Sequence, residues 1–390
     1  MKVLFWTHSS GKRGMYGGDV CLLNLAKELN KTIDVAVAFP SEGMLVDAMR
    51  QAGVKVYVLR SRYGLTTFPN PKYVPWYKYP VRLFKQMVRR RIAMYYLDRL
   101  VREYQPDIIH TNVGPLDHAH FIAAKHGIPH VWHLREYQDK DFNMRFIPSM
   151  RKFRKLIKHP NNHCITITKD IFRHFNLDEA RDCVIYDGVF EAKGENKKAD
   201  KQPYFLFVGR LEAAKGLDTL IEAYTSYIRQ GGTYKLLVAG GVNNPDHVEH
   251  CRQMVSEAGL DDKVEFLGFR SDCYDLMAHA SALIVPSHFE GFGFITAEGM
   301  YNNCLVIGRD TAGTKEQFDN GLALTGKEIA LRFTTNEQLT RHLLDVEHNG
   351  QAYYADMIAR AFTAVNSLYT LDEDARQVKA FYNKVLHIAP

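Results

Sequence analysis

The chain is poor in cysteine. Six cysteines are spread over 390 residues (Cys21, Cys164, Cys183, Cys251, Cys273 and Cys304), and no two of them form a C-x-x-C pair. That argues against a disulfide framework, and they read as reduced structural thiols of a cytoplasmic chain. Long hydrophobic runs are also missing, so no segment approaches the length of a membrane-spanning helix. The apolar run in MKVLFWTHSSGKRG at the N-terminus is too short for a signal peptide. No internal repeat is present. Neither a G-x-G-x-x-G fingerprint nor a P-loop occurs among the glycines that follow the first strand, which removes the dinucleotide pattern.

What is present is ordinary in amount and uneven in placement. Apolar residues make up 46% and charged residues 24%, as in a globular protein. The length favours two domains. The net charge of +6 hides an asymmetry: residues 1–190 carry 30 Lys and Arg against 17 Asp and Glu, and the rest carry 20 against 27. A half at +13 beside one at −7 suggests an anionic partner for the first half, either nucleic acid, anionic lipid or a phosphorylated substrate.

The first half alternates strand and helix. Val3–Thr7 is an apolar strand, followed by the loop HSSGKRGMYGG with Gly17 and Gly18, and a helix is expected from about Asp19 to Leu29. Strand, glycine loop and helix is a phosphate-binding format. Strands at about 33–39 and 54–59, with a helix between, continue a βαβ pattern that implies parallel strands. Residues 61–80 are rich in proline and aromatics and read as a long loop. A helix from about Val81 to Tyr104 has apolar Phe84, Val88, Ile92 and Tyr95 among many arginines, and Met150–Lys158 is a second basic stretch. Bases in 78–102 and 145–158, interleaved with Trp76, Tyr77, Tyr79 and Phe153, suit an anionic membrane surface. Nucleic acid could use such a patch, but no nucleic-acid module accompanies it.

His133 and, more weakly, His110 stand near the carboxyl ends of strands, where ligands gather in open α/β sheets. His133 is a candidate contact or proton-handling group. Asp139–Asp141 reads as a surface loop. The charged stretch after Phe190 reads as a linker.

In the second half, the strand 204–208 ends at Gly209-Arg210, and Lys215-Gly216 opens a helix. Two cations across a strand-to-helix turn suit a diphosphate. Ala282–Val285 is a buried strand ended by Pro286. Glu290 follows in a loop, then Gly291, Phe292, Gly293 and Phe294, and Glu298 lies about one turn into the next helix. Free amides at that helix start and close backbone approach at the glycines favour an anion. Carboxylates repel phosphate but accept hydrogen bonds from sugar hydroxyls. A ligand with a diphosphate between two hydroxyl-bearing ends, such as a nucleotide-sugar, satisfies these features.

The segment PSHFEGFGFITAEGM resembles the E-x7-E signature of glycosyltransferase family 4, and FVGRLEAAKGLDTLIEAY resembles that family's second landmark. The resemblance covers most of residues 200–320 and is looser before them. It implies an α/β, GT-B architecture: two Rossmann-like doubly wound parallel-sheet domains facing an interdomain cleft. The expected divisions are 1–190 on the acceptor side, a linker at 191–203, a donor domain at 204–370 and a helix at 371–390 crossing back. The resemblance further implies that Arg210 and Lys215 hold the donor pyrophosphate, that Glu298 contacts the ribose and Glu290 the sugar, and that Phe269 and Arg270 border the base. Gly17 and Gly18 would form a loop near donor phosphate and acceptor, and His133 would lie by the donor sugar. Retention of configuration without a metal or cofactor follows, with a UDP-sugar favoured over a GDP-sugar. The expected acceptor is a glycan or lipid-linked glycan for cell-surface polysaccharide, at the inner membrane face. A nucleotide-sugar 2-epimerase on the same fold and a basic nucleic-acid-binding module stand as alternatives.

Overall fold

A computed structural model describes residues 1–387 except 13, 16, 60–66, 70–75, 193–198 and 243. Much of the aromatic loop at 61–80, the side chain of Trp76 and the centre of the linker at 191–203 therefore lie outside the described residues. The chain divides into two compact units, Met1–Gly188 with Leu371–Pro390, and Val189–Thr370.

The first unit runs β1 (Lys2–Trp6), α1 (Gly17–Leu29), β2 (Asp34–Phe39), α2 (Met44–Gln51), β3 (Lys55–Val58), β4 (Thr67–Pro69), α3 (Tyr79–Tyr104), β5 (Ile108–Thr111), α4 (His118–His126), β6 (His130–Leu134), β7 (Met144–Phe146), α5 (Met150–Ile157), β8 (Asn162–Thr166), α6 (Lys169–Phe175) and β9 (Cys183–Val184). Seven of these strands form a parallel sheet in the order β3-β2-β1-β5-β6-β8-β9. Side chains alternate across a strand, and β1 shows why both faces are covered. Val3 and Phe5 pack with Leu22, Leu25 and Leu29 of α1 on one face. Leu4 and Trp6 pack with Leu97, Val101 and Ala119 from α3 and α4 on the other. Within the expected loop at 61–80, β4 pairs antiparallel with β7, which is a departure from the sequence reading.

The second unit runs β10 (Gln202–Val208), a 3-10 turn (Ala213–Lys215), α7 (Leu217–Arg229), β11 (Lys235–Ala239), α8 (Pro245–Glu257), β12 (Val264–Gly268), α9 (Cys273–His279), β13 (Ala280–Val285), α10 (Phe294–Tyr301), β14 (Val306–Arg309), α11 (Ala312–Thr325), β15 (Leu331–Phe333), α12 (Asn336–Tyr353) and α13 (Ala355–Leu368). Its six-stranded parallel sheet has the order β12-β11-β10-β13-β14-β15. Residues 336–385 form three helices. Gly350 takes φ 70 inside α12, and the chain breaks again before α14 (Leu371–Val385).

That last helix belongs to the first unit. Val378, Phe381, Tyr382 and Val385, spaced for one helix face, join the core formed by β1, β2, α1 and α2. Gly188 donates its amide to Asp374 of α14 at 3.0 Å. Among the described residues no helix is long and apolar enough to cross a membrane.

Strand order reverses between β1 and β5 in one sheet, and between β10 and β13 in the other. In doubly wound sheets the crevice for a ligand lies at such a switch point, outside the carboxyl ends of the strands.

Candidate functional site

The second switch point gathers most of the residues singled out from the sequence. The loop after β10 and the loop after β13 leave adjacent strands at the same edge, and they pack backbone on backbone. His288 donates its amide to Ala214 at 3.0 Å. Gly216 has φ 68, and a side chain there would meet the Pro286 carbonyl at 2.4 Å, so only glycine allows the approach. Across this seam the Lys215 ammonium lies 2.6 Å from Glu290, with the two side chains only 19% and 17% exposed.

The loop after Glu290 is held from behind by α11. Gly313 donates its amide to the Glu290 carbonyl at 3.0 Å. A side chain at Gly313 would meet the Phe292 carbonyl at 2.4 Å. Buried Gln317 spends its amide nitrogen on two carbonyls, Phe292 at 2.6 Å and Gly293 at 2.9 Å. Phe292 packs its ring on Phe294 and Tyr369 at 5.3 and 5.1 Å. Gly293, at φ 88, turns the chain into α10 without a side-chain cap, so the first amides of α10 receive no side chain there. Such amides attract an anion.

Glu298 lies farther along α10 and accepts from the Tyr274 hydroxyl at 3.4 Å. Burial raises its pKa, and the tyrosine contact works the other way. Phe269 is 82% exposed after β12, and Arg270 pairs with Asp272. Arg210 is half-exposed and turns to Glu212 at 3.0 Å. The structure thus brings together Lys215, Glu290 and the loop Gly291, Phe292, Gly293 and Phe294. It leaves Arg210 and Arg270 paired with neighbours in sequence.

The remaining candidates belong to the first unit. Gly17 and Gly18 are the opening residues of α1 rather than the expected loop. A methyl group at Gly18 would meet nothing within 4 Å, so packing does not demand glycine there. His133 is fully buried in β6, 3.4 Å from an Arg135 nitrogen, with its ring centroid 5.3 Å from that of His110. Burial, then Arg135, hold its pKa well below the histidine range, so the ring is neutral. Its Nε2 has no hydrogen-bond partner among the described residues. Arg135 is itself engaged by Asp187 and by Asn112 at 3.1 Å. Asp139 is exposed, and Asp141 accepts the Tyr137 amide at 2.8 Å.

Sequence reasoning missed Tyr274 and Gln317. Neither sits in a motif. Gln317 could have been found from its place one turn after Gly313 on the helix that follows β14, whereas Tyr274 carries no local signal.

Both units together match a solved architecture. The crystal structure of Anabaena HepE in complex with UDP superposes with a TM-score of 0.75 at 19% identity, covering 98% of this chain and 100% of that one. The shared fold is GT-B, two parallel-sheet α/β domains in one chain. The chain belongs to the family 4 type of glycosyltransferase: residues 189–363 match the family described as Glycosyl transferases group 1, and residues 17–171 match the Glycosyl transferase 4-like domain. Among relatives, it is 32% identical over 169 residues to the O-antigen chain mannosyltransferase RfbU of Salmonella typhimurium, covering 43% of this chain and 46% of that protein. It is 29% identical over 156 residues to the N-acetylgalactosamine-N,N'-diacetylbacillosaminyl-diphospho-undecaprenol 4-alpha-N-acetylgalactosaminyltransferase of Campylobacter jejuni, covering 38% and 41%. The match spans less than half the length of these relatives.

Proposed function

We propose that the protein transfers a sugar from a nucleotide-diphosphate sugar, a UDP-sugar in preference to a GDP-sugar, to a lipid-linked glycan used for cell-surface polysaccharide. The observation that carries this reading is the Lys215–Glu290 pair bridging the two loops of the second switch point, beside the uncapped start of α10. A cation, open amides and a carboxylate meet there, which matches a diphosphate joined to a hydroxyl-bearing sugar. The named relatives that act on O-antigen and on a diphospho-undecaprenol glycan support the acceptor class.

In the reaction, the bond between the sugar C1 and the phosphate oxygen breaks, and C1 bonds to the acceptor oxygen on the same face. The acceptor proton passes to the leaving phosphate, so configuration is retained. When donor binds, Lys215 turns from Glu290 to the phosphates, and Arg210 swings from Glu212 to join it. Together with the α10 amides they stabilise the charge of the departing nucleotide without a metal. Glu290, released, accepts from the sugar hydroxyls and Glu298 from the ribose, with Phe269 and Arg270 beside the base. In the first unit, neutral His133 serves by hydrogen bonding and the α1 start at Gly17 and Gly18 by its amides. The enzyme works at the inner face of a membrane.

Heating the protein with a panel of nucleotide-sugars tests the donor assignment. At ten times its dissociation constant the correct donor adds about 1.4 kcal/mol of stability. Protection by none of the panel overturns the reading. Conversion of the donor to another nucleotide-sugar with no acceptor present replaces transfer by epimerisation.

A further inference from the structure

Helix α3 presents apolar side chains to solvent from Val81 to Tyr96. Its inward face is formed by Ala93, Leu97, Leu100, Val101 and Tyr104, all in the second half of the helix. On the opposite side, Val81, Phe84, Val88, Ile92 and Tyr95 recur at three- and four-residue intervals, the spacing of a single stripe. They are between 40% and 68% exposed. Arg82, Lys85, Arg89 and Arg91 border the stripe. Residues 79–104 contain only two acids, and Asp98 is already taken by Arg102, Lys125 and His126.

Beneath the first half of α3, where the core is not reached, lies a cavity of about 330 Å³. Leu83, Met87, Phe121, Ile147, Phe153 and Leu156 form its apolar wall. Arg90 and Lys152 also line it. Arg90 is held by Asp117 at 2.7 Å and lies over the Phe121 ring. Lys152 is exposed on α5, and residues 145–158 contain no acid at all.

We propose that this cavity takes one hydrocarbon chain of an anionic bilayer lipid, while the α3 stripe rests in the interface and the surrounding bases hold phosphate headgroups. The inference deepens the membrane-face reading given above and rests on it. The size is that of an ordinary small-ligand pocket. The combination of apolar stripe, apolar slot and unopposed bases fits a surface that is apolar within and anionic at its rim. Nucleic acid would engage the bases but leave five apolar side chains in water. A second copy paired through a twofold axis would set basic rows against each other.

Calorimetric titration with a short-chain phosphatidylglycerol, kept below its micelle-forming concentration, reads the cavity alone. Flotation with vesicles of phosphatidylglycerol or phosphatidylcholine reads the whole face. The full chain should bind one soluble anionic lipid, and should float with the phosphatidylglycerol vesicles only. Met87→Trp fills the slot from an exposed position without altering charge, and should weaken soluble-lipid binding at least about tenfold. The double change Phe84→Glu and Val88→Glu should stop flotation and leave soluble-lipid binding in place. No soluble-lipid binding, equal binding of phosphatidylcholine, or a Met87→Trp protein that binds like the unaltered chain overturns the proposal. Nucleotide-sugar protection against heating, read on the same samples, separates the two ideas: retained protection with no lipid binding removes the slot and spares the donor site.

Discussion

Lys215 and Glu290 hold each other in place, and that defines what removing either one does. Lys215→Ala leaves Glu290 with no counter-charge and, on the proposed function, takes away a charge-assisted contact to the donor. A contact of that kind contributes roughly 1.5–3 kcal/mol, so sugar transfer should fall about tenfold or more. Steady-state rates with the cognate donor measure it, and transfer within twofold of the unaltered enzyme is the outcome that removes Lys215 from its role. These two residues were legible in the sequence because each stands at a strand end that local composition marks. Tyr274 was not legible. Its hydroxyl meets Glu298 through space, 24 residues away, and nothing in the run CYDLMAH distinguishes a tyrosine facing a carboxylate from one on a solvated helix face.

Among the elements, α11 decides how well the loop after Glu290 is held. Gln317→Leu keeps the volume and removes both donors to the Phe292 and Gly293 carbonyls. Nucleotide-sugar affinity, measured by heat protection, should weaken about tenfold, since each lost hydrogen bond contributes about 1 kcal/mol. Unchanged affinity would reduce Gln317 to a packing residue. The same helix begins with a conformational cost. Ala312 has φ 44, in the left-handed region that favours glycine. Ala312→Gly should therefore stabilise the protein by about 1 kcal/mol, read from the urea midpoint, and a loss of stability would refute that account. Helix α3 shows where sequence reading stops at this scale. Both of its long faces are apolar, one through Phe84, Val88, Ile92 and Tyr95 and the other through Leu97, Leu100 and Val101. Hydrophobic spacing marks a helix but cannot say which of two apolar stripes meets the core. Gly17 and Gly18 show a related limit: glycine lowers helix propensity, yet in a first turn, where amides have no partner inside the helix, it can start one.

At the scale of the whole molecule, the first unit is assembled from both ends of the chain, and Asp374 sits at the join. Burial raises its pKa to about 6, against the pull of the Gly188 amide and Arg135. The fold therefore favours the protonated acid. Its contribution is complete at low pH, below the ordinary carboxyl range, and is lost as pH rises through about 6. Asp374→Asn copies the protonated form. It should match the unaltered protein in urea unfolding only below the ordinary carboxyl range, near about pH 3, and exceed it at pH 8. A variant that is less stable at pH 8 would show that the charged form is the one the fold prefers.

The placement of α14 also sets an order on biosynthesis. A ribosome delivers residues 189–370 as one uninterrupted length, and that unit can close as soon as it emerges. The first unit, although begun earlier, must wait with the groove beside α1 unfilled until Val378, Phe381, Tyr382 and Val385 follow, after the whole of residues 189–370 has been made. Of these two units, the one begun first is the one completed last.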